Sequence, residues 1–273
     1  MVKRGQKECE YEDLGSTKYD EAAINSYQVF QRLRNQGRIA NGLRFQVSIP
    51  TPVNTGWTHL DFENRAQIEP LYTKRLIHDM RNLQNSIPAK DLAIQYDCAV
   101  EFAYLEYERG RMPDDTWKPY FFPVKDYILD RIVELASTID EGVWLGFHLC
   151  YGDNGHQHFI QPEDAQVLVD MANEIMHRVT PHHKMCWIHL PVPRDRLDEA
   201  YYEPLKRLEM ADAKLYLGLV RENDQEGTAL RIKLAQDAYP KGFGIATECG
   251  MGRTPRQDVS SIFDILEENS SAI

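Results

Sequence analysis

The stretch WLGFHLCYGDNGHQH, residues 144–158, decides the fold class and marks the first candidate for a functional site. It begins as an apolar run, typical of a buried strand, and opens directly into a polar loop rich in histidine, cysteine and aspartate. In α/β proteins with parallel strands, ligands bind at the carboxyl ends of the strands. This strand end is therefore a candidate active site, and other strand ends should lie beside it.

Outward from this stretch, apolar runs rich in β-formers alternate with helical patterns. Besides the run that begins at residue 144, strands are predicted at residues 43–50, 92–100, 184–193, 213–220 and 243–250. Helices are predicted at residues 19–35, 65–83, 124–139, 227–239 and 259–268, and in a segment that begins near Pro162. Strands that are apolar along most of their length and separated by helices indicate a parallel sheet covered on both faces.

Polar side chains follow most of these strands, which is typical of the mouth of a TIM-type (β/α) barrel. An open doubly wound sheet is the alternative, but it often carries a glycine-rich phosphate loop, which the sequence lacks. We predict an α/β fold with residues 1–42 as an N-terminal helical segment of the same domain and residues 43–273 as the catalytic (β/α) barrel. Because six strand–helix units do not close such a barrel, we expect an incomplete one, with the first one or two strands missing.

Composition limits the classes of partner. Lysine and arginine total 31 against 42 aspartates and glutamates, a net charge of −11, so nucleic acid and anionic membranes are poor partners. The sequence shows neither a long apolar span nor a signal peptide, and it predicts a cytoplasmic protein that acts on a small molecule. The five scattered cysteines predict reduced thiols. An exposed barrel edge would favour a homo-oligomer.

Three patches resemble the catalytic barrel of the cobalamin-independent methionine synthase family, whose superfamily includes uroporphyrinogen decarboxylase. HLCYGD at residues 148–153 is similar to the strand end that supplies two zinc ligands in that family. ATECGMGR at residues 246–253 is similar to the strand end that supplies the last cysteine ligand. IQYDCAVE at residues 94–101 looks like the strand whose aspartate helps to hold the amino-acid substrate, and Asp97 would be that aspartate.

The resemblance implies a zinc site. His148, Cys150 and Cys249 match family ligands, and His189 stands where the family has a glutamate, which histidine can replace as a ligand. Zinc would hold a substrate thiol as the thiolate and present it to an alkyl donor. The implied reaction is methyl transfer to sulfur, with a folate as the candidate methyl donor.

Further polar residues at the predicted strand ends complete the candidate site. The predicted catalytic residues are Asp97, His148 and Asp153. The predicted substrate-binding residues are Glu101, His156, His158, Arg194, Glu222 and Arg253. Arg194 could clamp a carboxylate, although a surface ion pair with Asp195 or Glu199 explains it equally well.

Two other functions stay open from the sequence. His148 and Cys150 are alternate residues of a strand, so they point the same way whether they bind a metal or pack inward. Without zinc, the same mouth suits acid–base work on a carboxylated substrate, as in a lyase or decarboxylase that uses Asp97, His148 and Arg253. A degenerate, non-catalytic relative of the family is the third hypothesis.

Overall fold

The computed structural model describes residues 9–153 and 157–270, and six strands alternate with helices in them. The strands are β1 (Phe45–Pro50), β2 (Leu92–Cys98), β3 (Trp144–Leu149), β4 (Met185–Pro191), β5 (Lys214–Val220) and β6 (Gly244–Thr247). They form one sheet in the order β1-β2-β3-β4-β5-β6, and the pairs β1–β2, β4–β5 and β5–β6 are parallel. The α/β class is confirmed. In a (β/α) barrel the strands lie in the sheet in their sequence order, whereas in a doubly wound sheet this order reverses. The strand order here agrees with the barrel.

Nine α-helices are described in the same residues. They are α1 (Tyr19–Asn35), α2 (Pro52–His59), α3 (Phe62–Ser86), α4 (Val100–Glu108), α5 (Val124–Ala136), α6 (Gln166–Val179), α7 (Glu199–Tyr202), α8 (Gln225–Ala238) and α9 (Val259–Asn269). The predicted helix at residues 19–35 is confirmed with the same bounds, α3 and α9 cover the segments predicted for them, and α5 and α8 end three residues and one residue short of theirs. None of the helices in the described ranges is long and apolar enough to cross a membrane.

Three features of the helices differ from the sequence prediction. α2 was not predicted; Pro52 begins it, and the Thr51 hydroxyl accepts a hydrogen bond from the backbone of Asn54. α4 was predicted as a loop; its first seven residues are all buried, so it has no amphipathic stripe for a pattern search to find. α6 begins at Gln166 rather than near Pro162.

The chain divides into two compact units. The first contains the described residues up to Gly146 together with Arg178–Lys184, and the second contains Phe147–His177 and the residues from Met185 onward. In the first unit α1 packs on β1, since the ring centroids of Tyr27 and Phe30 lie 5.7 and 5.5 Å from that of Phe45. The N-terminal helix is thus part of the same unit as β1 and β2.

In the second unit, β5 lies between β4 and β6 and sets their spacing. Gly218 of β5 pairs with Pro191 on one side and Ala246 on the other. A Cβ atom at Gly218 would lie 2.7 Å from the Cα of Glu248, so only glycine allows the chain after β6 to come this close. The buried Arg231 of α8 then ties the strand ends together through the carbonyls of Leu219 and Arg194.

Candidate functional site

Polar side chains of the second unit follow the ends of β3, β4, β5 and β6. They are His148 and Cys150 from β3, His189 from β4, Arg221 after β5, and Glu248 and Cys249 after β6. Parallel strands bring their carboxyl ends to the same side of a sheet, so these residues lie on one side of it.

His148 and His189 face each other as a stacked pair. Their ring centroids are 4.6 Å apart with planes 26° from parallel. Burial lowers the pKa of His148 well below its usual value, and the nearby His189 lowers it further; burial also lowers the pKa of His189 to about 4. Neither ring nitrogen of His148 has a hydrogen-bond partner of normal geometry in the described residues. Both rings are neutral at neutral pH, the form in which imidazole binds metals.

His158, Glu248 and Arg221 form a chain of polar side chains. Nε2 of His158 contacts Oε1 of Glu248, while Oε2 of Glu248 lies 2.7 Å from Nη2 of Arg221. Arg221 is only 5% exposed and also donates to the carbonyl of Val192, so it is a buried, anchored side chain. Burial lowers the pKa of Arg221, and Glu248 opposes that shift. The sequence prediction did not include Glu248 or Arg221 among the site residues.

Arg253 pairs with Asp153 and interacts electrostatically with both candidate thiols. Its guanidinium donates a 2.8 Å hydrogen bond to Asp153, and this bond raises the pKa of Arg253. Smaller contributions in the same direction come from Cys249 and Cys150, which places both sulfur atoms within electrostatic reach of the guanidinium. A nearby guanidinium favours the thiolate form of a cysteine. Arg253 and Asp153, both predicted from the sequence, therefore belong to one cluster.

Arg194 pairs with Glu222 rather than with the neighbours proposed from the sequence. Its Nη2 contacts Oε1 of Glu222, and both side chains are exposed, at 48% and 37%. These two predicted substrate-binding residues thus meet each other, and neither Asp195 nor Glu199 is the partner. An exposed ion pair contributes little to stability, so a ligand could replace either member at small cost.

A cavity of about 740 Å³ lies within the second unit, and His148, Cys150, His189 and Arg253 are not among the residues that line it. Val220, Ile262 and Phe159 supply apolar wall. The predicted site residues that line it are Asp153, His158, Arg194, Glu222 and Cys249, and Arg221 and Glu248 join them. A concave site with an apolar wall and a few converging polar groups is typical of a binding site for a small molecule.

Asp97 and Glu101 belong to the first unit. Asp97 ends β2 half-buried, accepts a 2.9 Å hydrogen bond from Gln95, and has its pKa raised to about 6 by burial. Glu101 is 1% exposed in the first turn of α4, where it accepts a 2.9 Å bond from the backbone of Ala99 and another from the hydroxyl of Thr51. Burial raises the pKa of Glu101 to about 7. His156, predicted to bind substrate, lies outside the described residues.

The predicted zinc ligands fit the metal by their chemistry. They comprise two thiols near a guanidinium and two imidazoles kept neutral by burial, which is a donor set that zinc accepts. The unpartnered nitrogens of buried His148 also agree with a ligand role. Within residues 9–153 and 157–270, however, no three His, Cys, Asp or Glu side chains stand close enough together to hold an ion. Side chains would have to move to close the site, and zinc stays a prediction.

Two solved structures share this fold, whereas no protein-family model and no curated protein matches the chain. One is a B12-independent methionine synthase from Shewanella sp. W3-18-1 in complex with selenomethionine, with a TM-score of 0.53 and 16% identity over 93% of this chain and 65% of that one. The other, from Listeria monocytogenes, is assigned as a vitamin-B12-independent methionine synthase, with a TM-score of 0.56 and 13% identity over 95% of this chain and 71% of that one. At such identities the likeness shows the fold alone. The chain spans about two thirds of the length of each.

Proposed function

We propose that this chain is a methionine-synthase-like transferase that accepts a methyl group on the sulfur of a small thiol substrate. The observation that carries the proposal is the state of His148: a neutral, buried imidazole whose ring nitrogens have no hydrogen-bond partner of normal geometry in the described residues, at the strand end that also bears Cys150. A buried polar group is normally paired, so such an imidazole is suited to a ligand that arrives from outside. The shared fold with two methionine synthases supports the same reaction class.

His148, Cys150, His189 and Cys249 would hold a zinc ion, which when bound stabilises the substrate sulfur as a thiolate near neutral pH. The chain prepares these ligands in two ways. Burial keeps the two imidazoles neutral, so that they need not lose a proton to bind. Arg253 favours the thiolate forms of Cys150 and Cys249, because its positive charge lies near both sulfur atoms.

The cavity of the second unit would hold the substrate and orient it. Arg194 and Glu222 meet at its wall as an exposed pair, so the carboxylate and ammonium groups of an amino acid could each find an opposite charge there. The apolar wall would hold the aliphatic part of the substrate. The methyl donor, proposed to be a folate, would approach from the open side of the cavity.

Metal content tests this function directly. Protein purified without chelator should carry about one zinc per chain, and His148→Ala and Cys249→Ser should each lower that content severalfold by removing a ligand. Cys186→Ser is the matched control, since this thiol lies on β4 outside the proposed set. Inductively coupled plasma mass spectrometry measures the metal, and calorimetry with L-methionine and L-selenomethionine measures binding without relying on turnover.

The opposite result points to the other enzyme class. If wild type and both ligand variants are equally free of metal, zinc-supported methyl transfer is wrong for this chain. Activity toward organic acids that resists chelators and disappears in Asp97→Asn would then identify the metal-independent lyase or decarboxylase, because Asp97 with a pKa of about 6 can exchange a proton near neutral pH.

A further inference from the structure

The wall of the cavity contains a buried histidine whose second nitrogen has no assigned use. The side chain of His158 is only 5% exposed and lines the cavity. One ring nitrogen, Nε2, lies against the carboxylate of Glu248 at ion-pair distance, outside the geometry of a normal hydrogen bond. The other, Nδ1, is buried and has no hydrogen-bond partner in the described residues. In the described residues, this ring therefore has a polar contact at Nε2 and none at Nδ1.

The contact with Glu248 fixes which nitrogen carries the proton. A carboxylate only accepts hydrogen bonds, so the neutral ring places its N–H at Nε2 and leaves the lone pair at Nδ1. An unsatisfied buried acceptor is destabilising, and a purely structural histidine would avoid this by pairing both nitrogens. A proton donor brought by a ligand would satisfy Nδ1.

Glu248 is itself held in place. Its second oxygen lies 2.7 Å from Nη2 of Arg221, and Arg221 is anchored by the carbonyl of Val192. Three strand ends thus position the imidazole: Glu248 follows β6, Arg221 follows β5, and Val192 follows β4. A histidine oriented by a carboxylate that is oriented in turn is the arrangement of a general base.

We propose that His158 is the proton acceptor for the thiol substrate and that Glu248 and Arg221 are its positioning residues. This role rests on the proposed function. In the step, the S–H bond of the thiol breaks, its electron pair stays on sulfur, and the proton forms a new bond to Nδ1 of His158. The resulting imidazolium faces the negative charge of Glu248, so charge stays balanced and no further reactant is needed.

The other groups around the ring are consistent with this step. The ring of Tyr151 lies 6.0 Å away between centroids, and His148 is close enough to feel the charge of His158. Arg221 is the nearby permanent cation, and its charge is matched by Glu248. The new positive charge on His158 therefore has a carboxylate as its closest charged neighbour.

Nuclear magnetic resonance of ring-labelled histidine tests the proton transfer in the zinc-loaded full chain. His158→Gln identifies the His158 signals by their loss, and a titration of the free protein finds a pH at which the ring is neutral. At that pH, L-homocysteine should convert His158 from the neutral Nε2–H form to imidazolium. L-Methionine, which has no thiol proton, should bind and leave the ring neutral. His177→Gln, at an exposed position near the end of α6, should behave as wild type.

Kinetics give a second readout. His158→Gln should lower kcat by about 10²- to 10⁴-fold with little change in KM, and the acidic limb of the pH profile should disappear. Glu248→Gln should move that limb to lower pH, because an imidazole without its carboxylate is a weaker base. Arg221→Lys keeps a positive charge beside Glu248 and should shift the acidic limb of the pH profile by less. This variant replaces Glu248→Gln in the test if Glu248→Gln does not fold.

The outcomes separate the two proposals. If L-homocysteine binds and His158 stays neutral, or if kcat is unchanged in His158→Gln, the base is elsewhere and only this inference is wrong. If L-homocysteine does not bind to the zinc-loaded wild type, the proposed function is wrong, and the role of His158 in it falls as well. Protonation of His158 by the thiol alone supports both.

Discussion

Glu101 joins the starts of two helices in the first unit, and its protonation should make the stability of the fold depend on pH. Its carboxyl group accepts hydrogen bonds from Thr51, which caps α2, and from the backbone of Ala99 before α4. Burial raises its folded-state pKa to about 7 from its usual value of 4.5. A group whose folded pKa is raised contributes its full stability below the unfolded pKa and loses it as pH rises through the folded pKa.

We therefore predict that Glu101→Gln flattens the pH dependence of the free energy of unfolding. Between about pH 4.5 and about pH 7 the wild type should lose roughly 1–3 kcal/mol, at about 1.4 kcal/mol per unit of pKa shift, and the neutral glutamine should remove most of that loss. Urea unfolding at several pH values measures it. Glu108→Gln, exposed at the end of the same helix, is the control. An equal slope in wild type and Glu101→Gln would show that Glu101 is not the titrating group.

For single residues, the sequence could indicate which residues are candidates for the site, but not which partners they contact there. The sequence identified His148, His158 and Arg253 because histidines and arginines that follow an apolar strand stand out. It could not show that Arg221 is buried against Glu248 while the adjacent Glu222 is exposed, because this depends on which way each side chain turns after the strand. Partners that are distant in sequence become visible only when the strands pair.

The spacing of β4, β5 and β6 depends on Gly218, and this gives a prediction about strand packing. A Cβ atom at this position would meet three backbone atoms, the Cα of Glu248 at 2.7 Å, the carbonyl oxygen of Thr247 at 2.9 Å and the Cα of Pro191 at 3.1 Å. Backbone atoms cannot rotate away as side chains do. Gly218→Ala should therefore force β6 and the chain after it away from β5.

We expect Gly218→Ala to lower the free energy of unfolding by about 1–3 kcal/mol, the usual cost of overpacking. The substitution also displaces Glu248, which lines the candidate site. We therefore expect a loss of kcat/KM in addition to the loss of stability. Urea unfolding and kcat/KM measured on the same samples show both effects. Gly252→Ala is the matched control because a Cβ there would meet nothing within 4 Å. Equal stability of Gly218→Ala and wild type would mean that the strands can spread without cost.

Among the elements, strands and long amphipathic helices were the predictable part. The six strands lie within one or two residues of the prediction at most ends, because an apolar run between polar segments fixes them. α4 could not be predicted: a helix buried on all sides has no polar face, and its aromatic residues also suit a strand or loop. The start of α6 is set by the Asp164 carboxylate, which accepts from the backbone of Gln166, rather than by Pro162.

At the scale of the whole molecule, the strand order agrees with a TIM-like fold, and an incomplete barrel remains the expectation from the sequence. The described strands follow one another in sequence order, as in a (β/α) barrel, and a barrel of this type closes with eight strands. A strand at the end of such an order presents backbone groups that another chain can cover. Self-association is therefore a physical consequence of the incomplete-barrel hypothesis.

The side of the sheet near β6 is where we expect this association. All four residues of β6 are half-exposed, and the helices next to it present Phe263 of α9 at 54% and Leu230 of α8 at 41% exposure. Phe263→Glu should shift the protein toward the monomer, whereas Phe122→Glu should not, although Phe122 is 67% exposed in the first unit. Because the net charge is −11, added salt should strengthen wild-type association by screening repulsion between copies. Sedimentation velocity over a wide concentration range measures this, and a wild type that stays monomeric at high salt would refute it.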